Sequence, residues 1–109
     1  MPKRMAYVCS PLSAASTEEM QRNMHNARRL MAEVAAETGM HAVAPHAYLP
    51  ELLDDTDPAQ RQLALQIGAL ILRQCSKVVV CGDRISAGMA QEISEAEKLG
   101  IPITYRSAI

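Results

Sequence analysis

Residues 78–84 read VVVCGDR, and this segment is the strongest indication of the fold in the sequence. Its first four residues form a continuous apolar run that is mostly β-branched, which is typical of a central parallel strand buried on both faces. The Gly-Asp pair then turns the chain, and a helical pattern begins near residues 86–88 and ends at residues 99–100. A buried strand followed directly by a helix of this length indicates an α/β protein.

Three further segments have the composition of short strands. They span residues 5–9, residues 41–44 and residues 101–105, and a helical pattern separates each strand from the next one along the chain. Alternation of this kind implies parallel strands with right-handed crossover connections. The 109 residues therefore predict one domain, residues 1–109: a small three-layer Rossmann/flavodoxin-like α/β fold with a four-stranded parallel sheet, order 2-1-3-4, flanked by helices.

The ends of the first two predicted helices are marked by capping residues. The Ser16 side chain can accept a hydrogen bond from the backbone of the first helix, while the Glu19 side chain bonds back to the start of the helix, as in a capping box. Gly39 is a natural C-terminal end for that helix. A loop rich in Pro and Asp over residues 45–58 leads to Asp57-Pro58, which starts a second helix that runs to residue 75. That helix is apolar around most of its circumference. We therefore expect it to be covered on more than one side, with a second subunit of a homo-oligomer as the second cover.

Composition and charge exclude several classes of function. The formal net charge of −1 gives no general attraction to a nucleic acid polymer or to an anionic membrane, and no apolar run approaches the length that spans a bilayer. A cytoplasmic location follows by default. The three cysteines form no Cys-x-x-Cys pair, and the three histidines do not have metal-ligand spacing. We therefore predict buried free thiols, no metal site and no cofactor.

Ligands of open parallel sheets bind beyond the carboxyl ends of the strands, where the strand order reverses. In this chain that rule selects three loops, at residues 10–16, 45–57 and 82–88. The residues predicted to contact a ligand there are Ser10, Pro11, Leu12, His46, Ser86, Gly88 and Met89.

Glu92 is the first candidate for chemistry. At about 100° per residue, it falls within the arc of the last helix that Met89, Ile93, Ala96 and Leu99 define as its buried face. An unpaired carboxylate on a buried face is costly, so such a residue needs either a partner or a purpose. The structural alternative for Glu92 is a cap or an ion pair at the start of the helix.

The other candidates each have a structural alternative too. Asp83 directly follows the most buried strand, where an aspartate can also bond to its own backbone in an Asx turn. Ser86 with Gly88 can hold a phosphate on helix N–H groups, and Ser86 can equally be an ordinary N-cap. Tyr7 has core packing as its alternative, and His46 has a structural or solvent-facing role. No complete Gly-rich dinucleotide or triphosphate motif is present.

The pattern as a whole resembles nucleoside 2-deoxyribosyltransferase and its small relatives in bacteria and phages. The resemblance covers nearly the whole chain in the order of its elements. It is carried by YVCSPL at residues 7–12, APH at residues 44–46, GDRISAGM at residues 82–89, Glu92-Ile93 with Ala96, and GIPI at residues 100–103.

The resemblance implies a role for several of these residues. Glu92 would attack the anomeric carbon of the sugar, Tyr7 would orient Glu92, and Asp83 would bind the substrate or protonate the leaving base. In members that hydrolyse nucleotides, serines at the places of Ser10 and Ser86 hold the phosphate. The implied function is cleavage of an N-glycosidic bond, or deoxyribosyl transfer, on a small-molecule nucleoside or nucleotide. Two alternatives are a non-catalytic nucleotide-binding or sensing module and a homo-oligomeric interaction protein.

Overall fold

Four parallel strands form one sheet in the computed structural model, which describes residues 4–11, 16–54 and 56–107. The strands are β1 (Met5–Cys9), β2 (His41–Val43), β3 (Lys77–Cys81) and β4 (Ile103–Arg106). Their order across the sheet is β2-β1-β3-β4, which confirms the predicted order 2-1-3-4. In the centre of the sheet, Tyr7 of β1 pairs with Val43 on one side and with Val78 on the other.

Three long helices and one short helix connect the strands. They are α1 (Thr17–Thr38), α2 (Leu49–Leu52), α3 (Pro58–Arg73) and α4 (Ala87–Lys98). Ser16, Asp57 and Ser86 cap the three long helices, each accepting a hydrogen bond from a backbone N–H of the first turn. Gly39 ends α1 with a φ of 70°, a left-handed conformation that glycine adopts without strain. The predicted helix starts are therefore confirmed.

The structure corrects the boundaries of three predicted segments. The predicted loop over residues 45–58 contains a 3₁₀ turn (Pro45–Ala47), in which Pro45 and Ala47 are buried, and the short helix α2. The helix predicted to reach residue 75 ends at Arg73. The last strand begins at Ile103 rather than at residue 101, since Pro102 has no N–H to donate to a sheet ladder.

The core lies on both faces of the sheet. Ala6, Val8, Val79 and Cys81 face α1, whereas Tyr7, Cys9, Val78 and Val80 belong to the cluster on the side of α3 and α4. Successive side chains of a strand point to opposite faces, so both central strands are buried on both sides, as the apolar run at residues 78–81 predicted. The cysteines, Cys9, Cys75 and Cys81, are buried free thiols, which was also predicted.

Helix α3 leaves much of its apolar surface uncovered. Leu63, Leu65 and Leu70 are 45%, 54% and 58% exposed, and Leu72 is the fully buried residue of this helix. The single chain therefore does not supply the second cover that the apolar character of α3 predicts. Among the described residues, none of the helices combines the length and the apolar character needed to cross a membrane.

Candidate active site

A cavity of about 630 Å³ lies at the carboxyl end of β1. Its walls come from the end of β1, the start of α1, the 3₁₀ turn and α2, one side of α3, and α4 from its N-cap to Glu95. A volume of this size is ordinary for a small-molecule site, and the carboxyl edge of the sheet is where ligands of open α/β sheets bind.

Most of the predicted site residues come together in this cavity. Those that line it are Tyr7, Ser10, His46, Ser86, Gly88, Met89 and Glu92. Two predicted residues do not line it: Pro11 is half-buried beside Ser10, and Asp83 is exposed in the turn after β3. Leu12 lies outside the residues that the structure describes.

Glu92 is held at the cavity wall by the packing of α4. Met89 and Ile93 of the same helix are buried against the sheet, and this orientation turns Glu92 towards the cavity. Its Oε2 atom is buried and has no hydrogen-bond partner, and within the part of the chain that the structure describes Glu92 forms no ion pair. The cap or ion-pair alternative for Glu92 therefore does not describe its position.

The Tyr7 hydroxyl and the Glu92 carboxyl are neighbours in the cavity wall, and each shifts the pKa of the other. Burial raises the pKa of Glu92 to about 7, and the neighbouring Tyr7 hydroxyl opposes part of that rise. Burial and the nearby Glu92 charge both raise the pKa of Tyr7 far above its usual value, so Tyr7 stays protonated and remains a donor.

Gly68 of α3 lies directly above the Tyr7 hydroxyl. A Cβ atom at this position would lie 3.8 Å from that oxygen, which is ordinary van der Waals contact. Helix α3 therefore closes over the tyrosine hydroxyl while leaving the cavity open beside it. Tyr7 is 4% exposed, so it packs in the core, as its structural alternative states, and also contacts the carboxylate.

Ser10 and His46 form a second polar pair in the cavity. The Ser10 Oγ and His46 Nε2 atoms are 2.8 Å apart, although 36 positions separate the residues in the sequence. Burial lowers the pKa of His46 to about 4, so the imidazole is neutral at pH 7. The predicted contribution of His46 to the cavity thus includes a direct hydrogen bond to another predicted residue.

The first turn of α4 forms the wall beside Glu92. The Ser86 Oγ atom accepts a hydrogen bond from the Met89 N–H at 3.2 Å, so Ser86 is an N-cap, which was the structural alternative for this residue. Ser86 also lines the cavity. Gly88 presents no side chain at this wall, and a Cβ added to it would meet only Ser86 Oγ at 4.0 Å.

A model of one protein family matches residues 4–106, nearly the whole chain. The chain belongs to the family described as Domain of unknown function (DUF7768). A search of curated proteins finds no match. Among solved structures, a 2-deoxyribosyltransferase from the psychrotolerant bacterium Bacillus psychrosaccharolyticus is similar, with a TM-score of 0.68 and 17% identity over 94% of this chain and 72% of that chain. At this identity the likeness concerns the fold, and it confirms at that level the resemblance identified from the sequence.

Several cavity residues of this DUF7768 chain were not among the predicted site residues. Glu95 lines the cavity one turn after Glu92, and its i+3 spacing from Glu92 on the same helix is the signal that could have identified it. On the opposite wall, Arg61 and Arg73 of α3 contribute positive charge. No local pattern assigns these arginines to the cavity, because their position depends on how α3 packs across the sheet.

The DUF7768 chain shows no cluster of metal ligands in its described ranges, residues 4–11, 16–54 and 56–107. The polar groups of the cavity instead include two carboxylates, a tyrosine, two serines, a histidine, two glutamines and two arginines. This set suits the binding and cleavage of a polar organic molecule by acid, base or nucleophilic chemistry.

Proposed function

We propose that this chain cleaves or transfers the N-glycosidic bond of a nucleoside or nucleotide, with Glu92 as the nucleophile. The observation that carries the proposal is the state of the Glu92 carboxylate. It lines the cavity, has one buried oxygen without a hydrogen-bond partner, and lies beside the Tyr7 hydroxyl, which lowers its pKa. The fold similarity to a 2-deoxyribosyltransferase supports this reaction class by analogy.

The proposed reaction has two steps. A Glu92 carboxylate oxygen attacks the anomeric carbon of the sugar, and the bond from that carbon to the base nitrogen breaks. The base leaves with the bonding electron pair and takes up one proton, which leaves a glycosyl ester on Glu92. Attack of water on the same carbon then releases Glu92 and gives hydrolysis, whereas attack by the nitrogen of a second base gives transfer.

Tyr7 has a positioning role in this proposal. Its hydroxyl stabilises the ionised form of Glu92, which is the nucleophilic form, against the burial that disfavours it. Because the pKa of Glu92 is raised to about 7, the ionised fraction rises steeply across neutral pH. The rate of base release should therefore rise with pH and level off above that pKa.

The remaining predicted residues take binding roles. Ser10, His46, Ser86, Gly88 and Met89 line the same cavity as Glu92, and we assign them to contacts with the substrate.

Three predicted roles stay predictions. They are the ligand contacts of Pro11 and Leu12 and the substrate contact or base protonation by Asp83. Neither Pro11 nor Asp83 lines the cavity, and Leu12 lies outside the described residues.

The test is turnover of a substrate panel. The pure protein is incubated with ribo- and deoxyribonucleosides and their 5′-monophosphates, with and without a second free base, and base release or exchange is followed by chromatography. We expect release or exchange that Glu92→Gln abolishes. Glu97→Gln, on the exposed side of the same helix, is the matched control and should retain activity. Exchange with the added base separates transfer from hydrolysis.

A binding or sensing module is the second candidate, and the same cavity supports it. It would give ligand-induced thermal shifts in the wild-type chain without base release from any member of the panel. That result would overturn Glu92 as a nucleophile while leaving the small-molecule site in place.

A further inference from the structure

The Ser10–His46 pair lies in the cavity on different elements from Glu92. Ser10 follows the buried end of β1 and is 5% exposed, and His46 lies in the 3₁₀ turn that follows β2. Their side chains are joined at 2.8 Å, and both line the cavity.

The pair is held on rigid backbone. Ala44, Pro45 and Ala47 around His46 are all buried, and the 3₁₀ turn packs against both α1 and α3. Cys9, which precedes Ser10, is fully buried in the sheet. A polar pair supported in this way has a fixed geometry, which is what recognition of a specific ligand group requires.

This end of the cavity carries no charge at neutral pH. His46 is neutral because burial lowers its pKa to about 4, and Ser10 has no charge. The charged residues among the described lining residues all lie on α3 and α4. They are Arg61 and Arg73 on α3, and Glu92 and Glu95 on α4. A phosphate beside the Ser10–His46 pair would lose hydration without gaining a cation from the pair, which is unfavourable.

We propose that Ser10 and His46 form a subsite for an uncharged hydrogen-bonding group of the ligand, in which His46 is a positioning residue that orients the Ser10 hydroxyl. The ligand class rests on the proposed function, so the group is either the polar edge of a nucleobase or the 5′-hydroxyl of a nucleoside. This assignment differs from the phosphate contact that the family resemblance implied for Ser10.

The hydrogen-bonding capacity of the pair supports this assignment. A neutral imidazole has one donor and one acceptor nitrogen, and a serine hydroxyl has one donor and two acceptor positions. The bond between Ser10 and His46 uses one position on each, so the Ser10 oxygen still has hydrogen-bonding capacity for the ligand. Whether the Ser10 hydroxyl offers the ligand a donor or only acceptor positions depends on whether it donates to His46 or accepts from it. In this sense His46 orients Ser10.

The test is a calorimetric binding measurement at pH 7 in the Glu92→Gln background, so that no ligand is consumed. The ligands are a purine nucleoside, its 5′-monophosphate and its 5′-deoxy analogue. The variants are Ser10→Ala, His46→Leu and His46→Gln, and glutamine can still hydrogen bond to Ser10. Ser76→Ala and His25→Leu are matched controls, because Ser76 precedes β3 at the other end of the sheet and His25 is exposed on α1.

We expect the nucleoside to bind at least as tightly as its monophosphate. Ser10→Ala and His46→Leu should each weaken nucleoside binding about 10-fold, as expected for the loss of one buried hydrogen bond. His46→Gln should recover part of the loss, and the controls should have no effect. Equal losses for the nucleoside and its 5′-deoxy analogue assign the subsite to the base, and a loss confined to the nucleoside assigns it to the 5′-hydroxyl.

Three results would overturn the subsite. The first is that the monophosphate binds more tightly than the nucleoside and that Ser10→Ala weakens only the binding of the monophosphate. The second is that neither the Ser10 nor the His46 substitutions change the affinity for the nucleoside. The third is no binding of any of the three ligands. Turnover by the wild-type chain is measured separately. If nucleoside binding depends on Ser10 and His46 but the wild-type chain shows no turnover, only the proposed cleavage is contradicted. If turnover depends on Glu92 but nucleoside affinity does not depend on Ser10 and His46, only the subsite is contradicted.

Discussion

Replacing Glu92 with glutamine should make the fold more stable at high pH while changing little at low pH. The Glu92 carboxyl ionises near its ordinary pKa of 4.5 in the unfolded chain but only at about 7 in the folded one. Between these values the folded state keeps a proton that the unfolded state has lost, so the wild-type free energy of unfolding falls as the pH rises. Above about pH 7 this cost is fully present. Glutamine is neutral throughout and avoids it.

The magnitude follows from the raised pKa. One pKa unit corresponds to about 1.4 kcal/mol, so the rise from 4.5 to about 7 corresponds to about 3 kcal/mol. The gap in free energy of unfolding between Glu92→Gln and the wild type should therefore grow by about 3 kcal/mol between about pH 4.5 and about pH 8. In a domain of this size, such a gap shifts the midpoint of thermal unfolding by on the order of 10 °C.

The assay is urea unfolding of both proteins at several pH values across that range. The gap between them is the quantity of interest, since titrations elsewhere in the chain contribute equally to both and cancel. Glu97→Gln is the control, because its side chain is exposed on the same helix and its gap should not change with pH. A gap for Glu92→Gln that stays constant from the lowest to the highest pH would refute the reasoning, since it would mean that ionising Glu92 in the fold costs nothing.

Four further predictions concern residues around the cavity and on α3. Tyr7→Phe removes the hydroxyl that lowers the pKa of Glu92, so the pH profile of base release should move to higher pH, and a profile that stays in place would contradict the positioning role. If Asp83 protonates the leaving base, Asp83→Asn should slow base release about 100-fold or more, and an unchanged rate would remove Asp83 from the mechanism. Because the pKa of His46 is lowered to about 4, wild-type stability should fall as the pH drops from 6.5, and chemical unfolding of His46→Gln should show a weaker fall. Light scattering should give the wild-type chain a mass above 11.9 kDa and Leu70→Glu a smaller one, whereas a monomeric wild type would contradict the predicted homo-oligomer.

The architecture could be predicted from the sequence because the features that specify it are local. The apolar run at residues 78–81 required a strand buried on both faces, and the structure buries it on both faces. Ser16, Asp57 and Ser86 marked the helix starts because a side-chain cap acts within one turn of the helix it begins. Alternating strands and helices then left few topologies, and the order 2-1-3-4 is one that right-handed crossovers produce.

The sequence also placed Glu92 on an inward face, because helical periodicity relates it to Met89 and Ile93 without any knowledge of the neighbouring elements. What it faces was decided by the tertiary structure. Tyr7 and Glu92 lie 85 positions apart, on a strand and a helix that only the fold brings together, and the rise in the Glu92 pKa is a consequence of burial by the whole fold.

The remaining features of the site also depend on packing between elements distant in sequence. The Ser10–His46 bond needs the end of β1 to meet the turn after β2, and the arginines of the cavity need α3 to lie across from α4. The same dependence explains why Asp83, adjacent to the best-predicted strand, does not line the cavity. Periodicity and capping act over a few residues and can be read locally, whereas the direction of a loop side chain is set by the tertiary contacts that the loop makes.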